Sequence, residues 1–178
     1  MQSTQRGFTM TEMMVVVAIV TMLMTIGVPS YRYITTANRI ASEINGLLGD
    51  LQFARAEAIK EGQTVSACAS TDGATCSGAS NWRVGWIVFI DSGAIGTVDA
   101  GTDTILRIQR AFSGTDTLVP DNALPAVTFN REGFASGLPG TVTMKLHDST
   151  NAHGYSRCLQ VTIIGAMTTQ SYGQGNCT

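Results

Sequence analysis

The chain opens with a long apolar segment. Between Met13 and Val28 no side chain is charged, and Thr21 and Thr25 are the only polar ones. With the residues just before it, this segment approaches the roughly 20 residues that a helix needs to cross a bilayer. The pattern therefore predicts a membrane-spanning helix over residues 8–28.

The next segment is amphipathic and continues to Gly62, a residue type typical of helix ends. It predicts a second helical half over residues 29–62. Pro29 opens this half, and because proline removes a backbone donor we expect a kink there. The predicted apolar stripe consists of Ile34, Ala37, Ala41, Ile44, Leu48, Leu51, Ala54 or Arg55, and Ala58.

The remainder of the chain predicts short strands. From Gln63 onward, runs rich in β-branched and aromatic residues alternate with Gly, Asn, Asp and Pro, as in antiparallel β-structure. We expect an α+β fold in which the long N-terminal helix packs against an antiparallel β-sandwich head over residues 63–178. The predicted strands cover residues 64–68, 83–91, 104–108, 126–129, 141–147, 158–163 and 166–172.

One carboxylate, Glu12, lies just inside the start of the apolar segment. An unpaired charge in lipid costs at least about 2.5 kcal/mol, so this position predicts a partner for Glu12. The rest of the composition is weakly charged, with 13% charged residues and a net charge of −2. Such a chain lacks the basic footprint of a nucleic-acid-binding protein.

Four cysteines all lie beyond residue 67, which suits an oxidising compartment such as a periplasm. We favour a bridge between Cys68 and Cys76, which closes a short loop, and one between Cys158 and Cys177, which ties the tail to the last strands. Free thiols or a zinc site are the alternatives, although zinc ligands usually have closer spacing.

The residues Gly7-Phe8-Thr9-Met10-Thr11-Glu12 before an apolar helix resemble the cleavage and methylation motif of type IV prepilins and pseudopilins. The resemblance implies that a prepilin peptidase cuts between Gly7 and Phe8, removes a leader over residues 1–7, and leaves Phe8 to be N-methylated. It implies that Glu12, then the fifth residue, neutralises the N-terminal amine of a neighbouring subunit. A plain membrane anchor and a cleaved secretory signal are the alternatives, but no small-residue cleavage site follows Val28.

A second resemblance lies in the head. The segment from Trp82 to Asp91, then Asp99, Asp103 and Ile105-Leu106-Arg107, is similar to the strand–loop–strand of the GspH/FimT/FimU family of pseudopilins and minor pilins. Phe129-Asn130-Arg131-Glu132-Gly133 is similar to the Phe-x-x-x-Gly turn of that family.

This family resemblance implies a structural subunit rather than an enzyme. The chain would lie in the bacterial inner membrane with a periplasmic head, then enter a filament with other minor pilins or pseudopilins and the major pilin. A minor pilin that joins or primes type IV pilus assembly is the first expectation, and an H-type pseudopilin of type II secretion is the alternative. Some FimT-type members bind DNA through Gly-Arg-x-Arg, but here the matching position reads Gly165-Ala166-Met167-Thr168 without either arginine, which disfavours DNA.

Four further groups of side chains could suggest a functional site, but each has a simpler structural interpretation. No cofactor or resident metal is expected. Three carboxylates bracket a Gly-rich loop and could bind Ca²⁺, although they lack the spacing of an EF-hand and turn roles are favoured. A histidine-containing loop has no nucleophile motif beside it. Core packing explains the aromatic group, and paired surface charges explain the arginines. The four groups are Asp91, Asp99 and Asp103; His147, Asp148 and His153; Trp82, Trp86 and Phe89; and Arg107, Arg110 and Arg131.

Overall fold

The computed structural model describes residues 7–112, 114–150 and 154–178. One helix, α1, covers Met10–Glu61, two residues shorter at its start than the expected span from Phe8. The difference arises because Thr9 takes the capping position before the first helical residue. At the other end Gly62 has φ +65°, the left-handed conformation that commonly terminates a helix.

The chain is divided into two compact units, one up to Asn38 and one from Arg39 onward. In the first unit every described residue up to Thr35 is exposed. Pro29 lies inside α1, which is assigned as helical on both sides of it, and the predicted kink stays a prediction. This helix is long and apolar enough, near the N-terminus, to cross a membrane.

The described residues of the second unit form nine strands in two antiparallel sheets. The first sheet has the order β3-β2-β1-β5-β6 and the second the order β4-β7-β8-β9. The strands are β1 Val65–Ala69, β2 Gly85–Ile90, β3 Thr104–Arg110, β4 Thr117–Pro120, β5 Ala126–Phe129, β6 Ala135–Ser136, β7 Val142–His147, β8 Arg157–Val161 and β9 Met167–Ser171.

The predicted strands are present with small shifts, but two strands were not predicted. β4 was missed because it has only four residues and ends in Pro120, which its place at the edge of the sheet tolerates. β6 has only two residues. The strand predicted from residue 83 begins at Gly85, because Trp82–Val84 form a 3-10 turn capped by Asn81.

The core of the second unit forms between α1 and both sheets. Each sheet contributes to one cluster with the helix, for example Val88 and Phe129 from the first sheet and Met144 and Leu159 from the second. The buried stripe of α1 keeps four members of the predicted one, Ile44, Leu51, Ala54 and Ala58, but has Ile40 and Leu47 in place of Ala41 and Leu48, and Ile34 is exposed. It consists of Ile40, Ile44, Leu47, Leu51, Ala54 and Ala58.

Candidate functional site

The start of α1 is a reciprocal cap between Thr9 and Glu12. The Glu12 backbone N–H donates to Thr9 Oγ1 at 3.3 Å, and the Thr9 N–H donates to Glu12 Oε2 at 3.4 Å. This is the capping-box arrangement of a helix N-terminus, in which Ser or Thr is followed three residues later by Glu. Glu12 thus has a partner within its own chain, and its carboxylate lies where the positive end of the helix dipole favours it.

Phe8 and Gly7 lie just outside this cap, before the first helical residue. Phe8 is 78% exposed. The predicted cleavage point between them is therefore accessible to an enzyme, whereas the carboxylate four residues further on is fixed by the first turn of α1. This geometry suits a processing site next to an assembly site, and both roles stay predictions.

The apolar segment also satisfies its own polar side chains. The Thr25 hydroxyl donates to the Met22 carbonyl at 2.8 Å, and the Thr21 hydroxyl donates to the Val17 carbonyl. Hydroxyls bonded back to the preceding turn need no water. The exposed apolar side chains of this segment and its internally bonded threonines are therefore compatible with a lipid or protein environment.

The two predicted disulfides are both present. Cys68 pairs with Cys76, and Cys158 pairs with Cys177. The second bridge holds the C-terminal tail against β8, where Cys177 is fully buried.

The three aspartates of the Gly-rich loop bind backbone amides. Asp91 Oδ2 accepts from the Ser66 hydroxyl at 2.6 Å and from the Gly96 N–H at 2.7 Å. Asp99 accepts from the Ala94 N–H, and Asp103 accepts from the N–H groups of Ser92 and Asp99. Within the described residues no three His, Cys, Asp or Glu side chains are grouped as metal ligands. These carboxylates organise the loop between β2 and β3.

The aromatic group lies in the interior. Trp82 and Trp86 belong to the main core, and their indole N–H groups donate to the Leu124 carbonyl at 3.0 Å and to Asp50 Oδ2 at 2.9 Å. Phe89 lies in a smaller cluster with Cys68 and Ile87. Packing is the role that these positions indicate.

The histidine loop is partly outside the described residues. His147 Nδ1 forms a hydrogen bond with the Ser156 hydroxyl at 2.8 Å, and Asp148 accepts from the Thr150 hydroxyl. His153 lies outside the residues that the structure describes.

Two of the three predicted surface arginines have carboxylate partners. Arg107 binds Asp50 at 3.0 Å and lies 3.7 Å from the ring centroid of Phe53, and Arg131 binds Glu132 at 3.0 Å. Arg110 is exposed at the end of β3.

Sequence reasoning missed two residues that organise functional regions. Thr9 caps the helix start, and its signal was readable as Thr-x-x-Glu. Arg55, on α1, donates through Nε to the Gly133 carbonyl at 2.9 Å and through a terminal nitrogen to the Ile164 carbonyl at 3.4 Å. No local sequence pattern predicts this contact, because the groups that accept from Arg55 are main-chain carbonyls far along the chain.

Comparison with known families decides the identity. The sequence profile of the family described as "Type II transport protein GspH" matches residues 43–165, and that of the "Prokaryotic N-terminal methylation motif" matches residues 2–28. The chain belongs to the GspH family. A search of curated proteins finds no match.

Solved structures of two proteins share the fold of this GspH-family chain. The type IV minor pilin FimU of Pseudomonas aeruginosa aligns with a TM-score of 0.61 at 22% identity, covering 75% of this chain and 89% of FimU. The minor pseudopilin EpsH from the type 2 secretion system of Vibrio cholerae aligns with a TM-score of 0.52 at 12% identity, covering 76% of this chain and 99% of EpsH. At these identities the likeness establishes the fold, a long N-terminal helix packed on antiparallel sheets.

Proposed function

We propose that this GspH-family chain is a minor pilin, a non-enzymatic subunit that joins or primes a type IV pilus through its N-terminal helix. The observation that carries the proposal is the helix start. An accessible Gly7-Phe8 bond precedes a capped Glu12 and a long exposed segment without charge. A surface of this kind is stable only when lipid or other apolar helices cover it.

The proposed maturation follows from the same residues. A prepilin peptidase removes residues 1–7, and Phe8 becomes the methylated N-terminus. The helix over residues 8–28 holds the chain in the inner membrane as a single span, with the amphipathic half over residues 29–62 and the head over residues 63–178 in the periplasm. The two disulfides support an oxidising location for the head.

In the filament, the Glu12 carboxylate exchanges its cap for a stronger partner. A carboxylate that accepts one neutral N–H is only partly satisfied, because an ionised carboxylate has about four lone-pair sites. The ammonium of a neighbouring Phe8 would neutralise its charge in an apolar surrounding. Neighbouring minor pilins and the major pilin are the proposed sources of that amine.

An assembly role for Glu12 can be separated from its capping role by substitution. Glu12→Ala removes both the charge and the cap. Glu12→Gln keeps an oxygen that can accept the Thr9 N–H but has no charge. Thr9→Ala removes the hydroxyl of the reciprocal cap and keeps the Glu12 charge. We expect both Glu12 variants to accumulate in the membrane with folded heads but to be depleted from sheared filaments, and Thr9→Ala to be incorporated. Normal incorporation of Glu12→Gln would refute the charge-pairing role.

The alternative is an H-type pseudopilin of type II secretion. The family profile suits this alternative as well, whereas EpsH shares the fold at a lower TM-score and identity than FimU, 0.52 and 12% against 0.61 and 22%. Deletion of the chain decides between the two, since a minor pilin is required for surface pili and a pseudopilin for secretion of folded exoproteins.

DNA binding is not part of the proposal. The turn over residues 162–166 precedes a tail with no Lys or Arg among residues 166–178. Because phosphate contacts need cations, we expect no salt-dependent retention of DNA by the chain.

A further inference from the structure

A cluster of charged side chains holds the connection between β3 and β4 onto α1. Asp116, the last residue of this connection, is fully buried. Arg39, on α1, donates through a terminal nitrogen to Asp116 Oδ1 at 2.8 Å, and its Nε lies 2.8 Å from Asp116 Oδ2. Glu43 lies one turn further along α1 and also faces the Asp116 carboxylate. One guanidinium therefore meets two carboxylates, and we call these three residues the acid clasp.

Two oxygen atoms of the acid clasp are buried without a donor. Glu43 Oε2 and Asp116 Oδ2 receive no hydrogen bond from the residues that the structure describes, since the Arg39 Nε–H does not point at Asp116 Oδ2. Two ionised carboxylates contain only acceptors, so neither can satisfy the other. A proton on Glu43 turns it into a donor to Asp116, as in other carboxylate pairs that share one proton. A single proton thus satisfies both oxygens.

The charges of the acid clasp balance only when that proton is present. With it, one negative charge faces the Arg39 guanidinium, whereas without it two negative charges do. Burial and the Asp116 carboxylate raise the pKa of Glu43 to about 7, and Arg39 opposes this rise. Because an uncompensated buried charge is costly, loss of the proton favours a state in which water reaches the two carboxylates.

The rest of the β3–β4 connection is attached by contacts that do not depend on pH. The Phe112 N–H donates to the Arg83 carbonyl at 3.1 Å, and the Arg83 guanidinium, which stays charged as arginines do, donates to the Gly114 carbonyl at 2.9 Å. Phe112 also packs against the core cluster that contains Ile40, the first buried residue of α1. Opening of the connection at Asp116 therefore uncovers the start of the buried stripe and leaves the pairing of both sheets unchanged.

We propose that the acid clasp is a pH-sensitive switch, in which a proton shared by Glu43 and Asp116 holds the β3–β4 connection on α1 and loss of that proton releases it. Since the folded chain holds the proton more tightly than the unfolded chain, the clasp is closed at acidic pH and opens as the pH rises through neutrality. The release is a local opening of one connection and not unfolding of the head. The switch makes the covering of the start of the buried stripe depend on the pH around the head.

Hydrogen–deuterium exchange of the full-length chain in detergent tests the proposal. Exchange is followed by mass spectrometry at pH 6 and pH 8.5, and each rate is divided by the intrinsic chemical rate at that pH. We expect the protection of a peptide over residues 112–119 to fall at least tenfold between the two pH values, because the open state exchanges freely. A peptide over β8 in the same sample should change less than threefold.

Glutamate variants show which group carries the effect. Glu43→Gln keeps a donor for Asp116 at every pH, so the connection should stay protected at both values. Glu57→Gln is the matched control on α1, because it loses only an ion pair with Lys60, and it should respond to pH as the wild type does. Asp116→Asn removes the other carboxylate, and the pH response should be lost in this second variant as well.

Three results would overturn the proposal. The first is equal protection of the wild-type connection at pH 6 and pH 8.5. The second is an equal fall in the β8 peptide, which would mean that the head loosens as a whole. The third is a pH response of wild-type size in Glu43→Gln or in Asp116→Asn, which would assign the proton to another group.

Discussion

Gly165 lies against the carbonyl oxygen of Gly133. A Cβ at position 165 would be 2.2 Å from that oxygen and 2.8 Å from Arg55 Nε. Gly165 also has φ +74°, where side chains are strained. The turn between β8 and β9 can approach the turn between β5 and β6 only because this residue has no side chain.

Gly165→Ala should therefore destabilise the head by about 3 kcal/mol or more, since the clash is with main chain and a guanidinium rather than with a flexible tip. Urea denaturation of the full chain in detergent measures the change in unfolding free energy. Gly137→Ala is the matched control, because Gly137 has φ +77° and nothing within 4 Å of the added carbon. Gly137→Ala should lower the unfolding free energy by about 1 kcal/mol, from backbone strain alone. Equal losses in the two variants would show that the close approach does not matter.

Glu43 should make the stability of the head depend on pH. Burial and the neighbouring Asp116 carboxylate raise the pKa of Glu43 to about 7, while Arg39 opposes the shift. Asp116 is fully buried and bound by Arg39 at 2.8 Å. Because the folded chain holds the Glu43 proton more tightly than the unfolded chain, its contribution to stability is complete below pH 4.5 and is lost as the pH rises through 7.

Glu43→Gln tests this relationship, because the amide cannot lose a proton. From pH 5 to pH 8 the unfolding free energy of the wild type should fall by about 1 kcal/mol more than that of the variant, the full shift being reduced by solvent screening. Parallel pH profiles for the two chains would show that Glu43 does not titrate in this range.

The hydrogen bond between Asp50 and Trp86 should contribute more to the unfolding free energy than the ion pair between Asp50 and Arg107. Its Oδ2 accepts the Trp86 indole N–H at 2.9 Å, and its Oδ1 binds Arg107, whose side chain is 48% exposed. Asp50→Ala leaves a buried donor without an acceptor and should cost about 2–3 kcal/mol of unfolding free energy. Arg107→Ala should cost about 1 kcal/mol, because it removes a solvated ion pair and a contact with Phe53. A larger loss in Arg107→Ala would reverse this ranking.

The sequence predicted the parts of the fold that depend on local periodicity. Both helical halves and seven strands follow from the spacing of apolar residues, and β5 was predicted with its observed bounds. The predicted stripe of α1 was right at Ile44, Leu51, Ala54 and Ala58, but it was wrong at its start, because Ile34 is exposed and the buried stripe begins at Ile40. Register errors of this kind arise where Ala and Leu occupy several adjacent faces.

The remaining features depend on tertiary contacts. The pairs Arg55–Gly133 and Arg39–Asp116 join residues more than 75 positions apart, and no local pattern connects them. β4 runs to Pro120 as an edge strand that only its pairing with β7 defines. The Thr9 cap was the exception, because Thr-x-x-Glu is a local signal that the membrane interpretation of Glu12 obscured.

The identity of the mature N-terminus tests the account most directly. Mass spectrometry of the chain recovered from native membranes and sheared filaments should find a first residue of N-methylated Phe8, with Glu12 at the fifth position. A first residue of Met1, or one beyond Pro29, would contradict the account. An amine at Met1 would not lie four residues before Glu12, and a chain that begins beyond Pro29 would have lost both Glu12 and the apolar segment.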